Sequence, residues 1–334
     1  MLANAVVATA PREIAFGLIE VPEPGPQDVV LRVLHSWISN GTEGSFVRGE
    51  RIAGDTPRRE TDPLPFPHVP GYQKVGVVVA VGDKVTDLDV GDLVFATVSW
   101  VKRMFYGHGG HVSPAVTARS QVWKLPAGLD PVAASGLVLT QVGYNAGMRP
   151  VLEPGDAAVV LGDGMVGHWT AQTLQQRGAR VLLAGRHNSR LGLFACREGD
   201  LTVNTHDEDL GAAVAAWAPE GLQVLVDTVG SVEATEALLP QMRHFGQVVS
   251  VGFYGTQGLF DAQKLRAREL AFYAPSGWQK KRMDETLDWL AQGKLTTTHL
   301  ISHRFPVAQA EEAFARILNK HEGVLGVVLD WETE

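Results

Sequence analysis

The segment AAVVLGDGMVGHWTAQTLQQRGARVLLAG, residues 157–185, limits the fold more than any other part of the chain. An apolar burst is followed by Gly162, Gly164 and Gly167 in the spacing G-x-G-x-x-G, then an amphipathic run, then a second apolar burst. That order predicts a buried strand turning sharply into a helix and returning to a parallel strand. Gly162 allows the tight turn, Gly164 lets main chain approach a pyrophosphate, and Gly167 lets helix and strand pack closely. Met165 and Val166 open the helix, whose unpaired N–H groups favour phosphate oxygens. The ligand this predicts is a dinucleotide.

The next strand ends in Ala184, Gly185, Arg186, His187, Asn188, Ser189 and Arg190. A site for NAD places Asp or Glu at this strand end to accept hydrogen bonds from the adenosine ribose. Gly185 instead leaves room for a 2′-phosphate, with guanidinium groups from Arg186 and Arg190 and a hydroxyl from Ser189. Each charge-assisted hydrogen bond to that phosphate is worth about 1.5–3 kcal/mol. The expected cofactor is therefore NADP(H).

The rest of the chain is organised around this unit. From residue 1 to about 125 the pattern is strand, turn, strand, beginning with AVVATA as a first strand rather than a leader core. From about 130, amphipathic runs alternate with apolar bursts, which implies a parallel sheet covered by helices. The tail carries two helix-like stretches around THLISHRFPV and a closing strand, GVLGVVLDW, that returns to the first domain. Expected boundaries are 1–134 for a β domain, 135–275 for a dinucleotide-binding domain and 276–334 for the return. A length of 334 residues suits two domains. The most loop-like segment is 49–71, rich in proline and mixed charge.

Composition narrows the function classes. With 29 basic and 37 acidic residues the net charge is −8, so no basic field draws nucleic acid. The single cysteine, Cys196, excludes an internal disulfide and any zinc site needing two cysteines, and a reducing cytoplasm is the expected compartment. No uninterrupted apolar run reaches the roughly 18 residues of a membrane span. The expected partner is a small-molecule substrate, with no nucleic acid and no membrane.

The motif HVPGYQKVGVVVAVGDKVTDLDVGDLVF (68–95), taken with the glycine turn and the returning tail, resembles the medium-chain dehydrogenase/reductase superfamily over nearly the whole chain. ISNGTE (38–43), PLPFPHVPGY (63–72) and VLDW (328–331) are similar to its bacteriochlorophyllide a dehydrogenase branch. The resemblance implies an α/β protein, a GroES-like β domain plus a Rossmann doubly wound parallel sheet, and a homodimer. It also implies a chlorin substrate whose hydroxyethyl group is oxidised to acetyl.

In zinc-dependent members of that superfamily two segments supply metal ligands and adjacent carboxylates. Here they are Asn40-Gly41-Thr42-Glu43 and Gly71-Tyr72-Gln73, and Ser135 to Val138 offer no further ligand. A zinc site needs about three N, S or carboxylate ligands, so a metal-free enzyme is expected. His108 and His111 in GHGGH fit an ordinary glycine-rich loop. By the resemblance, Thr42 holds the proton-relay position and Tyr72 replaces a ligand, so either hydroxyl can polarise a carbonyl oxygen, with Tyr72 the first choice. Glu43 would orient Thr42 or Tyr72, and Asn40 would donate an amide hydrogen bond to an oxyanion. Thr140 would lie beside the nicotinamide, with the Val229-Gly230 and Gly252-Phe253 turns holding its ring and carboxamide.

Three functions remain open. The first is NADP(H)-dependent, metal-independent interconversion of a secondary alcohol and a ketone. The second is NADPH-dependent reduction of an activated C=C bond, as in quinone and enoyl reductases, and the third is a redox-silent NADPH-binding protein. Trp100, Phe105 and Tyr106 are candidates to line a pocket for a flat ring substrate, whereas Trp37 is expected in the core.

Overall fold

The structure is a computed structural model and describes residues 1–255 and 258–332. Two compact units divide the chain: Met1–Val138 with Thr297–Glu334, and Leu139–Thr296.

The first unit is built mainly of β-strands. Its backbone is the long strand Asp28–Ile38, which carries partners on both sides. One side pairs with Lys74–Val81; the other is shared, Ala115–Ala118 covering its first half and the returning strand Gly326–Asp330 its second. The seven-stranded sheet is completed by Leu93–Ala96, Val122–Lys124 and Ile301–Pro306. Near-continuous burial of Val29, Val30, Leu31, Val33, Trp37 and Ile38 explains why this strand is central, since both faces bury apolar side chains. The tail from Thr297 therefore belongs to the first unit. Ile301–Pro306 and Gly326–Asp330 are parallel, and the helix Ala310–Leu318 between them buries Ala310, Ala313, Phe314 and Ile317 against the unit. Near the start of the chain, Leu2–Ala10 is a strand of a three-stranded antiparallel sheet. Within 49–71 the chain is mostly irregular, apart from a short ribbon of Arg51–Ala53 with Thr56–Pro57.

The second unit is a six-stranded parallel sheet in the spatial order Leu201–Asn204, Arg180–Gly185, Ala157–Leu161, Leu222–Asp227, Met242–Ser250, Ala271–Tyr273. In chain order that is 3-2-1-4-5-6, the doubly wound Rossmann arrangement, with the reversal between Ala157–Leu161 and Leu222–Asp227. Every residue of Ala157–Leu161 is buried, as a central parallel strand requires. The second boundary falls at 296/297 rather than at 275/276. The helix Lys280–Ala291 belongs to the Rossmann unit because Trp289 packs edge-on against Tyr144, whose hydroxyl lies 3.2 Å from Glu285. The Trp169 indole N–H also donates to the Thr296 carbonyl at 3.1 Å. Among the described residues, no helix is long and apolar enough to cross a membrane.

Candidate functional site

In the Rossmann unit the glycine turn has the geometry that its spacing predicts. Gly162 adopts φ +115°, a left-handed conformation that side chains rarely take. A Cβ on Gly167 would run into the Gly162 carbonyl oxygen, so the helix Met165–Gln176 can start this close to the strand only without one. A Cβ on Gly164 would meet nothing within 4 Å, which leaves its main chain open to approach. No side chain caps this helix, and its first turn, with Met165 and Val166, presents N–H groups as an anion site. The cradle therefore fits the pyrophosphate of a dinucleotide.

At the end of Arg180–Gly185 the structure corrects one premise. The space beside Gly185 is not vacant: a Cβ there would overlap Cβ, Cγ and Oδ2 of Asp163. Asp163, the residue between the first two motif glycines, folds back over the strand end. Its Oδ2 accepts from the Arg186 and His187 main-chain N–H groups, each at 2.8 Å, and lies 2.9 Å from His187 Nδ1. Arg190 Nη1 stands 3.5 Å from its Oδ1. Burial alone would raise the Asp163 pKa, but these donors outweigh it and hold the carboxyl below its ordinary range. Arg186 and Ser189 remain exposed.

The remaining cofactor candidates are arranged around a second buried carboxylate. Asp227 is fully enclosed at the end of its strand and accepts the main-chain N–H groups of Val229 at 2.7 Å, Gly230 at 3.0 Å and Ser231 at 2.8 Å. The Tyr254 hydroxyl donates to it at 2.6 Å, and burial beside this charge raises the tyrosine pKa. The N–H groups of Val229 and Gly230 are therefore committed to Asp227, which leaves carbonyl oxygens as what this turn offers. Gly252 lies so close to Gly230 that a Cβ would strike its nitrogen, which brings the Gly252-Phe253 turn against it. Thr140 is buried on the helix Leu137–Met148.

In the first unit the sequence candidates Tyr72, Thr42 and Glu43 come together. The Ser39 and Thr42 side chains act on the Tyr72 phenol and pull its pKa down. Its pKa is pushed up to about 12, first by burial and then by the Glu43 charge, against the opposing pull of those hydroxyls. Glu43 sits in the first turn of the helix Thr42–Val47, and its Oε1 accepts the Ser39 main-chain N–H at 2.8 Å. Its other oxygen lies 2.8 Å from Nε2 of His111.

His111 is the residue that sequence reasoning missed. Both ring nitrogens are engaged, Nδ1 lying 2.9 Å from the Ser36 hydroxyl. The Trp331 indole N–H, which can only donate, reaches the same hydroxyl oxygen at 2.8 Å. Nε2, facing a carboxylate that can only accept, donates to Glu43, while the Ser36 oxygen takes the Trp331 hydrogen and bonds Nδ1. No local signal distinguishes His111 from His108, because its partners stand 75 and 68 positions away in the chain.

Asn40 departs from its expected role. Its amide nitrogen donates to the Leu325 carbonyl at 2.6 Å, which ties the turn before the helix to the returning strand instead of facing an oxyanion. Gln73 is buried and donates to the Trp37 carbonyl at 3.1 Å. Trp37 is fully buried, as expected of core. Tyr106 joins Phe46 and His68 in an edge-to-face cluster, with its hydroxyl on the Ile52 carbonyl at 2.7 Å, while Trp100 and Phe105 are exposed.

Residues 25–127 match the family model for the alcohol dehydrogenase GroES-like domain, and residues 166–292 the model for zinc-binding dehydrogenase. The chain is 26% identical to 2-desacetyl-2-hydroxyethyl bacteriochlorophyllide A dehydrogenase of Rhodobacter capsulatus, covering 99% of both chains. Among solved structures it resembles a zinc-binding dehydrogenase of Sinorhizobium meliloti bound to NADP, with TM-score 0.83, 21% identity and 99% of both chains covered. It also resembles a short chain alcohol dehydrogenase of Escherichia coli complexed with NADH, with TM-score 0.84, 19% identity and 99% of both chains covered. Among the described residues no group of three or more His, Cys, Asp or Glu side chains is placed to hold a metal ion, and Glu43 and His111 are spent on each other. The two domain models, one on each compact unit, place the chain in the medium-chain dehydrogenase/reductase superfamily.

Proposed function

We propose that this chain is an oxidoreductase that uses a nicotinamide dinucleotide to interconvert a secondary alcohol and a ketone without a metal ion. The observation that carries this reading is the buried Tyr72 phenol, on which the Ser39 and Thr42 hydroxyls and the Glu43 charge act. When bound, the nicotinamide supplies or accepts the hydride. The protein must then manage one proton and the negative charge developing on the carbonyl oxygen. With its pKa near 12, Tyr72 keeps its proton throughout the neutral range and can donate it to such an oxygen. Thr42 and Ser39 aim the phenol and can resupply the proton, while the fixed Glu43 charge disfavours a free tyrosinate.

The relative from Rhodobacter capsulatus acts, by its name, on a hydroxyethyl group of a bacteriochlorophyllide. A secondary alcohol borne on a large ring system is the substrate class we propose on that basis. Arg186 and Ser189, both exposed at the strand end, favour a 2′-phosphate on the dinucleotide, and the Asp163 carboxylate opposes one.

The test is oxidation of NADH and NADPH against panels of ketones, enones and quinones. Turnover confined to ketones supports the proposal, whereas turnover confined to enones or quinones replaces it with C=C reduction. Binding without turnover on any panel makes the protein a redox-silent nucleotide binder. If calorimetry shows no heat with either nucleotide, the reading is abandoned.

A further inference from the structure

In Rossmann units that take NAD, an acidic residue at the end of the second strand receives the ribose hydroxyls. This chain has Gly185 at that position, yet a carboxylate is there all the same. Asp163 reaches across from the phosphate turn and fills the volume that a side chain on Gly185 would occupy. Its placement is built rather than incidental. Asp163 is 6% exposed and held by two main-chain N–H groups, by His187 and, at 3.5 Å, by Arg190.

These four donors are the ones a 2′-phosphate at this strand end would need. Main-chain N–H groups of the turn and flanking guanidinium or imidazole groups make up the usual anion grip, and here an internal anion already occupies it. A phosphate arriving beside Asp163 would meet a like charge and find its donors taken. A 2′-hydroxyl would meet an acceptor, because among the described residues Asp163 Oδ1 is engaged only by the longer Arg190 contact.

We propose that Asp163 is the residue that selects the nucleotide, and that it selects NAD(H) over NADP(H), acting from the phosphate turn in place of the missing strand-end acid. The inference rests on the reading of this unit as a nicotinamide-dinucleotide site.

Calorimetric titration of the purified protein with NADH and with NADPH tests it. Wild type should bind NADH at least 10-fold more tightly than NADPH. Asp163→Ser should weaken NADH and strengthen NADPH, moving the ratio of the two affinities at least 10-fold towards NADPH. Asp163→Asn keeps the shape and one acceptor while removing the charge, and should move the ratio the same way by a smaller factor. A wild-type preference for NADPH overturns the inference and leaves the oxidoreductase reading intact. Equal losses for both nucleotides in both variants reduce Asp163 to a turn-stabilising residue and also overturn it. Absence of binding to wild type by either nucleotide would instead remove the reading on which the inference stands.

Discussion

Nε2 of His111 lies 2.8 Å from Oε2 of Glu43, with both side chains essentially sealed from solvent. This contact joins a glycine-rich loop to the helix that carries Thr42, and fixes the carboxylate whose charge is felt by Tyr72. Removing the imidazole leaves a buried charge with, among the described residues, the Ser39 N–H to hold it. His111→Ala should therefore destabilise the protein by about 1.5–3 kcal/mol, the range for a hydrogen bond to a charged group. Urea unfolding gives the value, and a loss below about 1 kcal/mol would mean that the Glu43 charge is satisfied in some other way.

Tyr72→Phe removes one hydroxyl and little volume. If the phenol is the proton donor, kcat should fall by about 10²- to 10⁴-fold while nucleotide affinity stays unchanged. Unaltered turnover with the best ketone would transfer the role to Thr42.

Gly71 adopts φ +89°, and a Cβ there would lie 2.7 Å from Nε2 of His111. Gly71→Ala thus combines a left-handed main chain with a collision against a ring bonded at both nitrogens. A loss of about 1–3 kcal/mol is expected from strain of this kind, with Tyr72 displaced and kcat lowered. Thermal unfolding and kinetics on the same sample check both parts. Full activity in a stable Gly71→Ala protein would show that the loop has slack.

Lys74 is wholly buried, its Nζ 2.5 Å from the Thr97 carbonyl oxygen, and burial lowers its pKa to about 7. The unfolded chain keeps this proton up to about pH 10.4, whereas the folded chain releases it near pH 7. Between those values the unfolded state binds more protons, so this group makes folding more favourable as pH rises, and its penalty is full below about pH 7. Lys74→Met, of similar length and without charge, should raise stability, most around pH 6 and less around pH 9. Urea midpoints at the two pH values decide the matter: a gain independent of pH would mean that the ammonium stays charged on Thr97.

Much of the fold is legible in local pattern. The apolar bursts at 157–161 and 180–185, the glycine spacing and the closing GVLGVVLDW suffice for a strand, its helix, its neighbour and a returning tail, because burial and main-chain geometry act over a few residues. The boundary at 296/297 was not legible, because it depends on Trp289 finding Tyr144 and on Trp169 finding Thr296 across long stretches of chain. Within the site, Tyr72, Thr42 and Glu43 were identifiable from their segments. The true partner of Asn40, the Leu325 carbonyl, comes from the other end of the chain and leaves no mark in the segment around Asn40. Asp163 did leave a signal, an acid inside a turn meant for phosphate, but the side chain's destination at Gly185 did not follow from that signal.

Taken alone, then, the order of residues determined a dinucleotide turn, a β unit before it and a tail that rejoins it, since strand period, helix period and glycine conformation are properties of neighbours along the chain. Only the tertiary structure decided that His111 holds Glu43 and that Asp163 stands in for an acid at position 185. Both depend on buried charges finding donors, and a buried charge takes whichever donors the folded chain brings within about 3 Å, however distant they are in sequence.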